Sequence, residues 1–147
     1  MKQKRIYNLS YDIPENVKGK NEKNTLDRHE LVKFLMKERV IDLNGTFSIY
    51  HEGKEYKKVR IAYLVKTTLI FYSYFTKEEI GAALSKQFKS QLCYVLTEIK
   101  TDENEPYFAN NLEEEDIQDG FAKEVEAIEQ EIKDEQRNKI IDIIGYK

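Results

Sequence analysis

The sequence predicts an α+β protein built on a ferredoxin-like split βαβ arrangement, an antiparallel sheet with two helices on one face. Two observations predict this fold. Segments rich in β-branched and aromatic residues alternate with amphipathic patterns in the order strand, helix, two strands, helix, strand. After Lys100 the composition turns acidic, which predicts a C-terminal acidic helical extension. We therefore expect a ferredoxin-like domain at residues 1–100, an acidic linker at 101–118 and a C-terminal helix at 119–147.

The second half of the predicted domain has the clearest local signals. Residues 59–75 are dense in Val, Ile, Tyr and Phe, which favour strands. Thr76 stands three residues before Glu79, a capping box that predicts a helix beginning at Lys77. An apolar stripe follows at helical spacing, and a second strand is predicted at residues 92–99.

The first half is predicted from weaker patterns. Residues 4–13 predict a strand that Asp12 and Pro14 end, and the polar residues 15–23 predict a flexible basic loop. A helix capped by Asn24 or Thr25 should run to about Arg39. Residues 46–65 predict a hairpin that turns at 51–54, which gives four strands in all and allows a fifth.

The acidic extension carries one narrow apolar seam. Its members are spaced four, three and four residues apart: Phe121, Val125, Ile128 and Ile132. The seam either packs back on the body, or pairs in a dimer, or docks on another protein. In the linker, Tyr107 and Phe108 are predicted to anchor the chain on the body.

Charge is divided unevenly along the chain. The net charge is −3, but residues 1–100 hold 19 Lys and Arg against 12 Asp and Glu, a balance of +7, and residues 101–147 have a balance of −10. A basic body favours a polyanionic partner, and the acidic extension could compete for the same surface. The alternative is a solvated charged face with a solubilising tail.

Most catalytic signatures are missing from the sequence. It has no phosphate-binding glycine loop, no nucleophile elbow and no Cys-x-x-Cys pair, and two histidines, His29 and His51, are too few for a histidine metal cluster. Cys93 is the single cysteine, which excludes an internal disulfide. It is predicted to lie in a buried strand as a small core residue. No apolar run reaches the roughly 20 residues of a membrane helix, so we expect a cytoplasmic protein with no membrane partner.

Asp12 is the one candidate for catalysis or metal binding. It ends the first predicted strand just before a basic loop, where a carboxylate could hold Mg²⁺ or Mn²⁺ beside a phosphate. Ser10, Tyr50 and Glu98 are possible companions, although none has a specific spacing to Asp12. The alternative is that Asp12 only starts the turn with Pro14.

Two segments carry a resemblance to a known family. The first strand, RIYNLSYDI, ends in Tyr-Asp, and KTTLIFYSYFTKEEIGAALSKQFKSQLCYVLTEI places a Thr-x-x-Glu-Ile helix between two hydrophobic strands. Together they resemble the small ferredoxin-like proteins grouped around the second CRISPR-associated adaptation protein and virulence-associated protein D. The resemblance implies a homodimer, a nucleic-acid ligand and a metal-binding Asp at Asp12.

Two functions follow as hypotheses. The first is a nucleic-acid-binding protein or metal-dependent nuclease, in which Tyr50, Tyr56 and Tyr72 could stack on bases. Its phosphate contacts would be Arg5, Lys18, Lys20, Lys23, Arg28, Lys57, Lys58 and Arg60. The second is a non-catalytic adaptor or inhibitor that binds a protein through its acidic helix. The location of the positive surface, and whether the acidic helix covers it, discriminates between them.

Overall fold

The computed structural model describes residues 3–13, 27–63, 67–89, 91–100, 107–109 and 120–144, with the backbone alone at 120, 121 and 141–144. The elements in chain order are β1 (Arg5–Asp12), α1 (Arg28–Lys37), β2 (Phe47–His51), β3 (Lys54–Val59), β4 (Thr68–Ser73), α2 (Lys77–Phe88), β5 (Cys93–Ile99), β6 (Phe108–Ala109) and α3 (Gly120–Ile144). The predicted α+β class is confirmed, with three helices and two small sheets in this part of the chain.

The first sheet has the strand order β4-β1-β5, and β1 is antiparallel to both neighbours. Helix α2 connects β4 to β5 across β1, which makes this half of the molecule compatible with the predicted split βαβ unit. Alternate residues of β1 enter the main core, among them Tyr7 and Leu9, both fully buried. The helices supply much of the rest of this core, including Leu31, Leu35, Ile80, Leu84 and Ile128, and β4 adds Leu69 and Phe71.

The start of α2 is confirmed in detail. The Glu79 N–H donates to Thr76 Oγ1 at 3.2 Å, and the Thr76 N–H donates to Glu79 Oε1 at 2.8 Å. Each side chain thus satisfies a backbone donor that the first helical turn leaves free. The helix begins at Lys77 as the sequence predicts.

Helix α1 is shorter than predicted at both ends. Its N-cap is Asp27, whose Oδ1 accepts from the Glu30 N–H at 2.9 Å, while Asn24 and Thr25 lie outside the described residues. The helix ends at Lys37, because Arg39 has a φ of 60° and this left-handed conformation stops the helical path.

The hairpin of β2 and β3 belongs to a second sheet, of order β3-β2-β6, so the described residues form six strands where the sequence predicted four or five. Two short antiparallel bridges, Asp42 with Tyr72 and Ala62 with Ile70, take the place beside β4 that a fourth strand of the first sheet would occupy. The hairpin of β2 and β3 lies between these two bridges in the sequence and extends away from the first sheet. Its apolar side covers one end of that sheet in a small second core of Ile6, Phe47, Ile49, Val59, Ala62 and Phe108.

Cys93 is exposed, so its predicted burial is wrong. Side chains alternate along β5, and Cys93 shares a sheet face with Val95, which is 65% exposed. The second sheet covers this face only at the Ile99 end, where Ile99 packs on the second core. The Cys93 end stays open.

Helix α3 packs on its own chain. Val125 and Ile128 are 3% and 0% exposed in the main core, and Ile132 is partly buried against it. The predicted seam therefore packs on the body for the side chains that are described. The linker anchor is Phe108, which is buried in the second core. No helix in the described part of the chain has the length and apolar character needed to cross a membrane.

Candidate nucleic-acid interface

The acidic face of α3 pairs with cations of the body. Arg28 Nη2 lies 2.7 Å from Glu124 Oε2, and Arg60 reaches both oxygens of Glu129, at 2.5 and 3.0 Å. Further pairs join α1 to α3: His29 with Glu131 at 2.8 Å, Lys33 with Glu135 at 2.5 Å, and Lys37 with Glu135 at 3.7 Å. Helix α3 thus covers the part of the positive surface that α1 and Arg60 form.

These pairs shift the ionisation of their members. The hydrogen bond from Arg60 holds the pKa of Glu129 below its usual range, and the hydrogen bond from Lys33 does the same for the pKa of Glu135. The same contact with Glu135 raises the pKa of Lys33. All three groups stay charged at neutral pH, so the pairing persists there.

Of the eight predicted phosphate contacts, the five that lie among the described residues do not gather at one site. Arg28 and Arg60 are held by α3, and Lys57 and Lys58 lie on β3, where Lys57 is half-buried and Lys58 exposed. Arg5 opens β1. Lys18, Lys20 and Lys23 lie outside the described residues.

Asp12 is exposed at the end of β1, in register with Cys93. Its predicted companions lie elsewhere or are engaged: the Ser10 hydroxyl donates to Asn8 Oδ1 at 3.2 Å, Tyr50 belongs to the second sheet, and Glu98 pairs in register with Tyr7, far back along β1. Among the described residues there is no group of three or more His, Cys, Asp or Glu side chains that could hold a metal ion. Asp12 thus has no second carboxylate beside it in this part of the chain, whereas Mg²⁺ and Mn²⁺ take several oxygen ligands.

Three cations converge at the opposite end of the first sheet, around a pocket of about 400 Å³ that we call the cationic pocket. Lys4, Arg5 and Lys100 line it together with Glu98 and Tyr72. Glu98 lies 3.7 Å from Arg5 and 2.9 Å from Lys100. Outside the pocket lining, Asp42 lies 3.1 Å from the Lys4 ammonium.

Sequence reasoning found Arg5 and missed Lys4 and Lys100. The signal was available in the strand pattern, because Lys4 precedes β1 and Lys100 follows β5. Antiparallel pairing of the two strands puts Ile6 opposite Ile99 and so brings the two lysines to one end of the sheet.

A second, aromatic pocket adjoins the first. It measures about 250 Å³ and shares Ile6 and Tyr72 with the cationic pocket. Its other side chains include Phe47, Tyr50, Tyr107 and Phe108. Tyr50 and Tyr107 stack with ring centroids 4.8 Å apart and an interplanar angle of 14°.

The ring of Tyr72, which was predicted to stack on bases, is already in contact with other side chains. Its ring stacks on Phe47 at 4.4 Å, and the Lys4 ammonium lies 4.6 Å from its centroid. A Cβ at Gly45 would come within 2.7 Å of this ring, so the close approach of the chain needs a glycine there. Tyr72 forms a wall between the two pockets and has no free face for a base.

The described residues thus define a small α+β protein with a cationic and an aromatic pocket at the junction of two sheets. The sequence matches no protein-family model, and comparison with curated proteins and with solved structures gives no match either.

Proposed function

We propose that this protein binds nucleic acid, with the cationic pocket as the place where phosphates are held. The observation that carries the proposal is the convergence of Lys4, Arg5 and Lys100 on one pocket, where Glu98 is the single carboxylate of the lining and Asp42, outside the lining, pairs with Lys4. A phosphate can replace Glu98 as the partner of Arg5 and Lys100, and the released counterions favour the exchange. The +7 balance of residues 1–100 adds a long-range attraction for a polyanion.

The acidic helix has a different role in this proposal. The carboxylates of Glu124, Glu129, Glu131 and Glu135 are used within the chain, which makes α3 a weaker candidate for docking on a basic groove of another protein. It acts instead as an internal competitor that keeps Arg28 and Arg60 from a phosphate backbone. Nucleic acid therefore binds at the cationic pocket and not under α3.

The proposal includes the ferredoxin-like assignment and a homodimer, both implied by the family resemblance. The split arrangement of β4, α2 and β5 around β1 supports the first. For the second, no described strand pairs with the outer edge of β5, and Val95 on that strand is 65% exposed. An unpaired edge of this kind is a surface on which a second copy can pair.

Removing two cations of the pocket should weaken binding. We expect the Arg5→Gln/Lys100→Gln variant to bind a fluorescent oligonucleotide roughly tenfold more weakly than wild type at low salt, because two phosphate contacts are lost. A matched control, Lys54→Gln/Lys89→Gln, removes the same charge from exposed lysines outside both pockets and should change the affinity about twofold or less. Fluorescence anisotropy measures both.

The opposite change tests the same pocket. Glu98→Gln frees Arg5 and Lys100 and should strengthen binding. Equal affinities for the pocket variant and its control would contradict a phosphate site here, provided that both variants melt at the wild-type temperature.

Asp12→Asn should leave binding unchanged, and neither wild type nor variant should cleave RNA or DNA with added Mg²⁺ or Mn²⁺. The reason is that the described residues give Asp12 no partner carboxylate. Gel electrophoresis of labelled oligonucleotides checks this. Metal-dependent cleavage by wild type that the variant loses would make the protein a nuclease and Asp12 its metal ligand.

A further inference from the structure

Tyr107 is an exposed aromatic ring on a fixed support. It is 66% exposed, although one face of its ring stacks on Tyr50. With Tyr50 on one face, so high an exposure means that the other face is open to solvent. An exposed face of a large aromatic ring is suited to stacking with another planar group.

The support beneath Tyr107 is built by its neighbours. Phe108 is 7% exposed and its ring meets Phe47 edge-on at 5.4 Å. Residues 108 and 109 pair in parallel with Ile49 and Tyr50 of β2. The backbone of Tyr50 and of the two residues that follow Tyr107 is therefore fixed by pairing, which limits the positions open to the Tyr107 ring before any ligand arrives and lowers the entropy cost of binding.

The open ring lies beside the cations. Tyr107 lines the aromatic pocket, which shares Ile6 and Tyr72 with the cationic pocket of Lys4, Arg5 and Lys100. A ligand that fills both pockets needs a planar group and a negative charge on one flexible scaffold. An unpaired nucleotide joined to its neighbours has both.

We infer that the protein binds single-stranded nucleic acid, with an unpaired base stacked on Tyr107 and the adjoining phosphates at Lys4, Arg5 and Lys100. This inference rests on the proposed function and specifies its substrate class. In a duplex the base faces are already stacked on one another, so a duplex can offer its backbone to the cations but no base to Tyr107. Single strands use both pockets.

The test uses the full chain and two probes, a fluorescein-labelled 12-nucleotide single-stranded DNA of mixed sequence and the same strand in a duplex. Wild type should bind the single strand at least about tenfold more tightly than the duplex. Tyr107→Ala should weaken single-strand binding by roughly ten- to a hundredfold, the loss expected for one stacked base, and leave duplex binding unchanged. Tyr107→Phe keeps the ring and should bind as wild type does.

A matched control separates the site from a general loss of aromatic surface. Tyr74 is 41% exposed and lies outside both pockets, so Tyr74→Ala should leave both affinities unchanged. If wild type binds both probes equally and Tyr107→Ala changes neither affinity, the inference is overturned while nucleic-acid binding survives. If wild type binds neither probe, the proposed function fails as well.

Discussion

The Ile128→Asp variant is expected to lose at least about 3 kcal/mol of unfolding free energy, a large share of the roughly 5–15 kcal/mol that keeps a typical domain folded. Ile128 is 0% exposed and belongs to the main core, where an aspartate would leave a charge without a partner. Ile140→Asp is the matched control, the same change on the same helix at a residue that is 58% exposed. It should cost about 1 kcal/mol or less.

Urea denaturation measures the two free energies, and light scattering on the same samples gives the oligomeric state. If α3 were instead the element that joins two protomers, Ile128→Asp would yield folded monomers with an unchanged melting temperature. A wild-type protein that is monomeric at micromolar concentration would contradict the proposed homodimer but not the packing of α3.

Neutralising the acidic face of α3 is expected to raise nucleic-acid affinity by roughly tenfold at low salt. The variant carries Glu→Gln at four positions, Glu124, Glu129, Glu131 and Glu135, which removes the carboxylates that pair with Arg28, Lys33 and Arg60. Substitution is preferable to truncation after Lys100, because truncation would also remove Val125 and Ile128 from the core. The gain should shrink as salt rises, since screening weakens exposed charges.

A control with the same net charge separates local from long-range effects. It neutralises Glu30, Glu38, Glu78 and Asp134, none of which pairs with a cation of the body in the described contacts. Anisotropy titrations of both variants should show a smaller gain for the control. Equal gains would mean that Arg28 and Arg60 make no phosphate contact even when the carboxylates of α3 are neutralised.

Lowering the pH would not substitute for these variants. The pKa values of Glu129 and Glu135 are lowered in the folded protein, by hydrogen bonds from Arg60 and Lys33 respectively. Their contribution to stability is therefore present above the ordinary carboxyl pKa and is lost only as the pH falls through the lowered values. At a pH that releases α3, other carboxylates of the protein are protonated too.

What the sequence predicted well was local. Thr76 and Glu79 specify the start of α2 through contacts within a single turn, so no knowledge of distant residues was needed. The existence of β1 and β5 was likewise readable along the chain, although the exposed face of β5 that carries Cys93 was not. The course of the chain at Asp42 and Ala62 could not be predicted in this way. It depends on backbone hydrogen bonds to Tyr72 and Ile70, which no local pattern specifies.

The candidate site depends on such distant pairings. Arg5 could be proposed as a phosphate contact from its charge alone, but its neighbours Lys4 and Lys100 meet only through the pairing of β1 with β5. Arg28 and Arg60 were proposed for the same reason, and α3 engages both. Charge predicts which residues attract a phosphate, whereas the fold decides which of them are free to do so.

The central claim is that this protein binds nucleic acid through charge, and a salt titration of the wild-type protein tests it most directly. Three phosphate contacts to a single strand predict that the logarithm of the association constant falls against the logarithm of salt concentration with a slope of about −2. Between 50 and 200 mM salt the affinity for the single-stranded 12-mer should then fall roughly twentyfold. No binding at the lower concentration, or an affinity that does not change with salt, would contradict the claim.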